Sequence, residues 1–152
     1  MLSIIGLAAQ APTRRGPLSS NVRVQVQIDS QTFDRTLPST TGWEENSFWY
    51  CTFTGLNEEG GSIDSAFLSC KFAHCEWYWG LFNMAVFVGV KFTDCTFRGT
   101  SFAGCKFVEC EFVRCHFTTD NLGGSCSFND TRWYSCSQSG TRGIEHVFKD
   151  AF

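Results

Sequence analysis

The sequence predicts an all-β solenoid whose chain winds into square coils, and three observations predict it. First, from Phe67 to Leu122 a large apolar residue recurs at every fifth position: Phe67, Phe72, Trp77, Phe82, Phe87, Phe92, Phe97, Phe102, Phe107, Phe112, Phe117 and Leu122. Second, two residues before each stands something small or short: Ser65, Cys70, Cys75, Gly80, Ala85, Val90, Cys95, Thr100, Cys105, Cys110, Cys115 and Asp120. Third, all 9 cysteines sit two residues before such a centre or its shifted equivalent, the outliers being Cys51, Cys126 and Cys136. A five-residue beat matches neither the helical nor the strand period, so it calls for a repeat architecture.

Each quintet reads as a short extended segment followed by a bend, with two side chains pointing inward. Four such segments make a coil of about twenty residues, and coils stack as parallel strands roughly 4.8 Å apart. The centre residue fills the middle and the small residue packs beside it. In that position cysteine acts as a small buried apolar group. The odd count, the absence of a convincing secretory signal and the lack of close spacings argue for reduced thiols over disulfides or a zinc site.

The elements follow in chain order. Residues 2–11 are apolar but lack a basic start and are too short to span a bilayer, so they are expected to cover one end of the fold. Residues 22–28 alternate apolar and polar side chains and read as a strand, a cap blending into irregular first coils. Phe48, Phe53 and Ile63 keep the spacing one residue out of phase with Phe67, and backward extension reaches Trp43, Pro38, Phe33 and Ile28. A phase shift means a residue gained or lost. Residues 54–62, with Glu58, Glu59, Gly60 and Gly61, are the expected place, as a polar projecting loop. Downstream, Phe128 and Trp133 resume one residue late, with Gly123-Gly124 marking the break. Finally Ile144, Val147, Phe148 and Ala151 fall at helical spacing and predict a short amphipathic lid over an open end.

Runs such as Val90-Lys91-Phe92-Thr93-Asp94-Cys95-Thr96-Phe97-Arg98-Gly99-Thr100-Ser101-Phe102 resemble the pentapeptide-repeat family, which has a Leu or Phe centre and a small residue two places before it. That resemblance implies a right-handed quadrilateral β-helix. The chain then divides into an N-terminal cap with irregular first coils (1–45), a pentapeptide-repeat β-helix carrying loop 54–62 (46–138) and a C-terminal capping helix (139–152). The resemblance also implies a non-enzymatic protein. The family's best-known role is protection of DNA gyrase and topoisomerase from inhibitors, sometimes by mimicry of duplex DNA and sometimes through projecting loops.

Outward positions follow from the coil arithmetic. The face of Phe67, Phe87 and Phe107 carries Leu68, Val88 and Val108 after the centres and Ala66, Val86 and Lys106 before them, and is unusually apolar. The next carries Lys71, Lys91 and Glu111 beside His74, Asp94 and Arg114, a mixed-charge and solvated surface. Between Trp77 and Val90 there is no charged residue, which leaves Tyr78, Trp79, Leu81, Met84, Val86 and Val88 facing outward. Such an apolar surface is either a protein contact or covered by the N-terminal residues.

No catalytic constellation, cofactor motif or metal motif is found. His74, His116 and His146 lack a paired nucleophile, and Glu58 and Glu59 are a poor geometry for acid–base work. The formal net charge of -3 and the near balance of acids and bases between Asp64 and Asp120 argue against direct nucleic-acid binding and weaken DNA mimicry. The expected protein is therefore cytoplasmic, outside the membrane, and binds a protein partner. Candidate contacts are Leu68, Tyr78, Trp79, Leu81, Met84, Val86 and Val88, with Glu58 and Glu59 on the loop. A homodimer would use Ile144, Val147 and Phe148 or an apolar face. Modulation of a topoisomerase, inhibition of another protein as a phage-type anti-defence factor or secreted effector, and a plain scaffold are the functional classes to separate.

Overall fold

A computed structural model describes residues 26–37 and 42–148. Residues 2–11, the start of the 22–28 segment, Pro38, Thr41 and Ala151 lie outside them. The described chain is a quadrilateral β-helix of three-residue strands, each centred on one beat of the repeat. The first face stacks Gln27–Asp29, Ser47–Trp49, Ala66–Leu68, Val86–Val88, Lys106–Val108 and Arg132–Tyr134 in parallel. The second stacks Thr32–Asp34, Thr52–Thr54, Lys71–Ala73, Lys91–Thr93, Glu111–Val113 and Ser137–Ser139. The third holds Asn57–Glu59, Glu76–Tyr78, Thr96–Arg98 and His116–Thr118, and the fourth Ser62–Ile63, Leu81–Asn83, Ser101–Ala103 and Ser127–Asn129.

Bends fall two residues after each centre, where the backbone turns left-handed: His74 has φ 55°, Trp79 61° and Met84 58°. That conformation is disfavoured for any residue with a Cβ. It is held here because each bend N–H donates to the next coil, as in His74 N to Thr93 O at 3.0 Å and Trp79 N to Arg98 O at 3.0 Å.

Because the register repeats coil by coil, aromatic centres lie ring on ring. Centroid separations run from 4.3 Å (Phe107–Trp133) to 5.1 Å (Phe33–Phe53), with planes nearly parallel. Rings in neighbouring columns meet at steep angles, as Phe92 does with Phe97 at 67°. Aromatic pairs of this kind add about 0.5–1.5 kcal/mol each beyond simple burial.

The small positions do more than save space. Every cysteine Sγ–H donates to the carbonyl of the centre residue one coil below, for example Cys70 to Phe48 at 3.3 Å, Cys105 to Phe82 at 3.2 Å and Cys110 to Phe87 at 3.4 Å. Thr100, Thr131 and Thr141 do the same with hydroxyls at 3.1–3.2 Å. An interior otherwise lined by ring carbons thus gains a column of donors. All 9 thiols are unpaired, and burial pushes those of Cys105 and Cys126 up, keeping them protonated.

Both phase breaks differ from expectation. Residues 54–62 are not a projecting loop: Asn57–Glu59 and Ser62–Ile63 are ordinary strands, paired with Glu76–Tyr78 and Leu81–Asn83. Leu56 is buried at the small position, and Glu58 takes the centre, where its carboxylate accepts from Trp43 Nε1 at 3.2 Å. The missing residue is lost at the next corner, between Ile63 and Phe67, so that Phe48 stacks on Phe67. Asp64 and Ser65 tie that shortened corner to the coil before it, Asp64 accepting from Glu45 N at 2.6 Å and Ser65 donating to Trp43 O at 2.6 Å.

At the second break Leu122 is not a core centre. It is 85% exposed, at the tip of a loop, and Phe128 takes its place above Phe102. At the N-terminal side, Gln27–Asp29 is a strand paired in parallel with Ser47–Trp49, within the 22–28 segment read as a strand. The terminal helix is described over Glu145–Phe148, and Ile144, just before it, is buried against the core.

Candidate functional site

The loop between Phe117 and Phe128 is the one large departure from the coil among the described residues. Strand partners that lie 20 residues apart in Phe82↔Phe102 lie 26 apart in Phe102↔Phe128, so residues 120–125 are extra. Asp120 builds the loop. Its Oδ1 accepts from Leu122 N and Gly124 N, both at 2.8 Å, and its own N–H donates to Gly124 O at 2.9 Å. Gly123 supplies the left-handed bend, with φ 87°.

The loop is seated on the helix by side chains from two coils. Trp79 Nε1 donates to Asp120 Oδ2 at 2.7 Å, and Asn121 N donates to the Tyr78 hydroxyl at 3.2 Å. Arg98 donates to Asn121 Oδ1 at 3.2 Å, lies 3.7 Å from Glu76 and sits 5.4 Å from the Tyr78 ring. Tyr78 and Trp79 stack at 4.7 Å. Gly99 makes the close approach possible, because a Cβ there would lie 2.8 Å from Asp120. Hydrogen bonds to Gly124 N and Trp79 hold the Asp120 carboxyl below the usual carboxylate range. The result is a preformed hydrophobic tip, Leu122, on a hydrogen-bonded base.

The apolar surface expected over residues 78–88 is divided among faces. Tyr78 and Trp79 are the seat of the loop, so part of their cover comes from the chain's own downstream insertion. Leu81 (38% exposed) and Met84 (65%) lie on or beside the fourth face, Met84 reaching over Gly104. Leu68, Val86 and Val88 belong to the first face, each half-buried. Glu58 is a half-buried core substitute and Glu59 an exposed strand end, so neither projects on a loop. Ile144 closes the core end, whereas the side chains of Val147 and Phe148 lie outside the described residues. On the second face the mixed charges pair: Asp94 receives Arg114 at 2.8 and 3.0 Å, and Lys91 lies 3.7 Å from Glu111. Among the described residues, no helix is long and apolar enough to cross a membrane.

Sequence reading placed this break at Gly123-Gly124 but took Leu122 for a centre and Asp120 for its small partner, because Leu122 falls on the beat. The available signal was Asp120 followed by Gly123-Gly124, a carboxylate able to bond its own backbone ahead of two permissive residues.

A family model agrees with the architecture over part of the chain. Residues 72–116 match a family described as Pentapeptide repeats (9 copies). Among solved structures, the chain is similar to a trypsin-treated variant of QnrB1, a plasmid-mediated fluoroquinolone resistance protein. That match has 11% identity and a TM-score of 0.24, and covers 76% of this chain and 68% of that one. Full-length QnrB1 is similar at 10% identity and a TM-score of 0.25, covering 76% and 85%. No curated protein matches the chain.

Proposed function

Because the chain is a pentapeptide-repeat protein, we propose that it is a non-catalytic binding protein that docks on another macromolecule through loop 120–125, with DNA gyrase or a related topoisomerase as the target class. The observation that supports this reading is the exposed Leu122 on a rigid base. An exposed leucine on a mobile loop must be ordered on binding, which weakens the contact. Here Asp120, Trp79 and Tyr78 have already ordered the backbone around it.

Contact through a loop also suits the charge pattern. Acids and bases on the helix body alternate and pair, as in Lys91 with Glu111 and Arg114 with Asp94. A surface of that kind does not present the dense negative charge of a DNA duplex. The rod then acts as a rigid holder for one projecting element.

The test is a variant lacking residues 120–125. Removing them places Cys126 two residues before Phe128 in an unbroken quintet, so the coil closes at its ordinary length. The full chain should protect gyrase supercoiling from a quinolone, and the deletion variant should fold normally yet protect at least about tenfold less. Failure of the full chain to protect sinks the target class. Equal protection by the deletion variant sinks the loop.

A further inference from the structure

The first face carries an apolar strip that the loop does not touch. Its outward column after the centres reads Asp29, Trp49, Leu68, Val88, Val108 and Tyr134, level by level. The column before the centres begins with Gln27 and Ser47, passes through Ala66 and Val86, and ends with Lys106 and Arg132. The middle is thus apolar in both columns. The only acid of the two columns lies at one end and both bases lie at the other. Trp49 is laid along the face by its Nε1 bond to Ser47 Oγ at 2.6 Å.

We propose that this face is a self-association surface on which a second copy of this chain packs antiparallel. The two-fold axis would run along the strands between the Leu68 and Val88 levels. Such an axis reverses the order of the coils and keeps each column facing its own kind. Leu68 then meets Val88 and Trp49 meets Val108, so apolar groups cover apolar groups. Asp29 of one copy reaches the end that carries Tyr134 and Arg132 of the other. In the bend column Tyr50, 62% exposed, comes opposite Glu109 and can donate its hydroxyl to that carboxylate. The parallel alternative sets Lys106 and Arg132 of both copies at one end, like charge beside like charge.

Charge complementarity is therefore what selects a second copy, and one arrangement of it. Six levels span about 24 Å of axis at the ordinary strand spacing. One narrow face of that length belongs to the small class of interfaces, so the dimer should be concentration-dependent, dissociating in roughly the micromolar range. The inference is independent of the loop, which lies on other faces.

Sedimentation equilibrium of the full chain should show a reversible monomer–dimer equilibrium. Val88→Lys puts a cation beside the axis without touching the core and should raise the dissociation constant at least about tenfold with an unchanged far-UV spectrum. Register is read separately: a mixture of Leu68→Cys and Val88→Cys proteins should give an oxidised heterodimer faster than either variant alone gives a homodimer. A chain that stays monomeric up to about 100 μM overturns the proposal. So does a dimer indifferent to Val88→Lys, or crosslinking by Leu68→Cys alone that equals the mixture.

Discussion

Two interruptions of the same beat are handled in opposite ways. Near Asp64 the chain is one residue short, and the coil absorbs the deficit at a corner, with partners 19 residues apart instead of 20. After Phe117 it is six residues long, and the surplus leaves the coil altogether. The constraint common to both is the ring stack: Phe48 must lie on Phe67 and Phe102 on Phe128. A corner can be tightened slightly while both flanking rings keep their partners, but it has no room inside for six more residues. Deficits therefore stay silent on the surface and surpluses become features.

This contrast is broken or sharpened by substitutions at equivalent beats. Phe92→Ala, in mid-stack between Phe72 and Phe112, should destabilise the protein by about 3–5 kcal/mol in urea unfolding. Leu122→Ala, at the next break of the same beat, should change stability by less than about 0.5 kcal/mol. If the two costs are similar, Leu122 is not the exposed tip described. Thr100→Val keeps shape but removes the donor to Trp77 O, and about 1 kcal/mol should be lost. An unchanged midpoint would mean the small positions matter by size alone.

Gly80 is a small position with room for a methyl group, where a new Cβ would meet Trp77 and Thr100 at ordinary contact distances of 3.7–3.9 Å. Gly80→Ala should stabilise by about 0.4–1 kcal/mol. Gly99→Ala should instead dislodge the loop, read as lost amide protection at Leu122 and Gly124.

The smallest effect is local and depends on pH. Asp120 has its folded carboxyl held below its ordinary value, so its contribution to loop order is complete above the unfolded carboxylate range. It is lost as pH falls through the lower folded value. The indole N–H resonance of Trp79 should therefore move at acid pH while core amides stay protected, and Asp120→Ala should show the acid position already at neutral pH.

The body of the helix was legible because one ring every five residues is a signal that survives wherever the stack is intact. Even Ile28 and Phe33 could be placed by counting back from Phe48. The breaks were misread for physical reasons. Glu58 looked like a loop residue because a carboxylate rarely takes a core centre, yet Trp43, 15 residues earlier, supplies a donor to it. Leu122 looked like core because it has the right size at the right spacing. In the fold the centre goes to Phe128, six residues on, which stacks on Phe102 at 5.1 Å, while Trp79, 41 residues before Asp120, holds the loop outside. The tie that the cysteines make between coils was hidden likewise, since the centre carbonyl each one reaches lies a whole coil away.

The aromatic stack has one more consequence. Because every ring is fixed by the ring beneath it, each outward residue has an address made of a face and a level. Moving an insertion by five positions turns it a quarter of the way round the rod. Moving it by twenty lifts it one step along the axis. The six residues after Thr119 occupy one such address, and the same segment could be transplanted to another with its orientation known in advance. For this chain the fold is a ruler, and function can be read as a mark made on it.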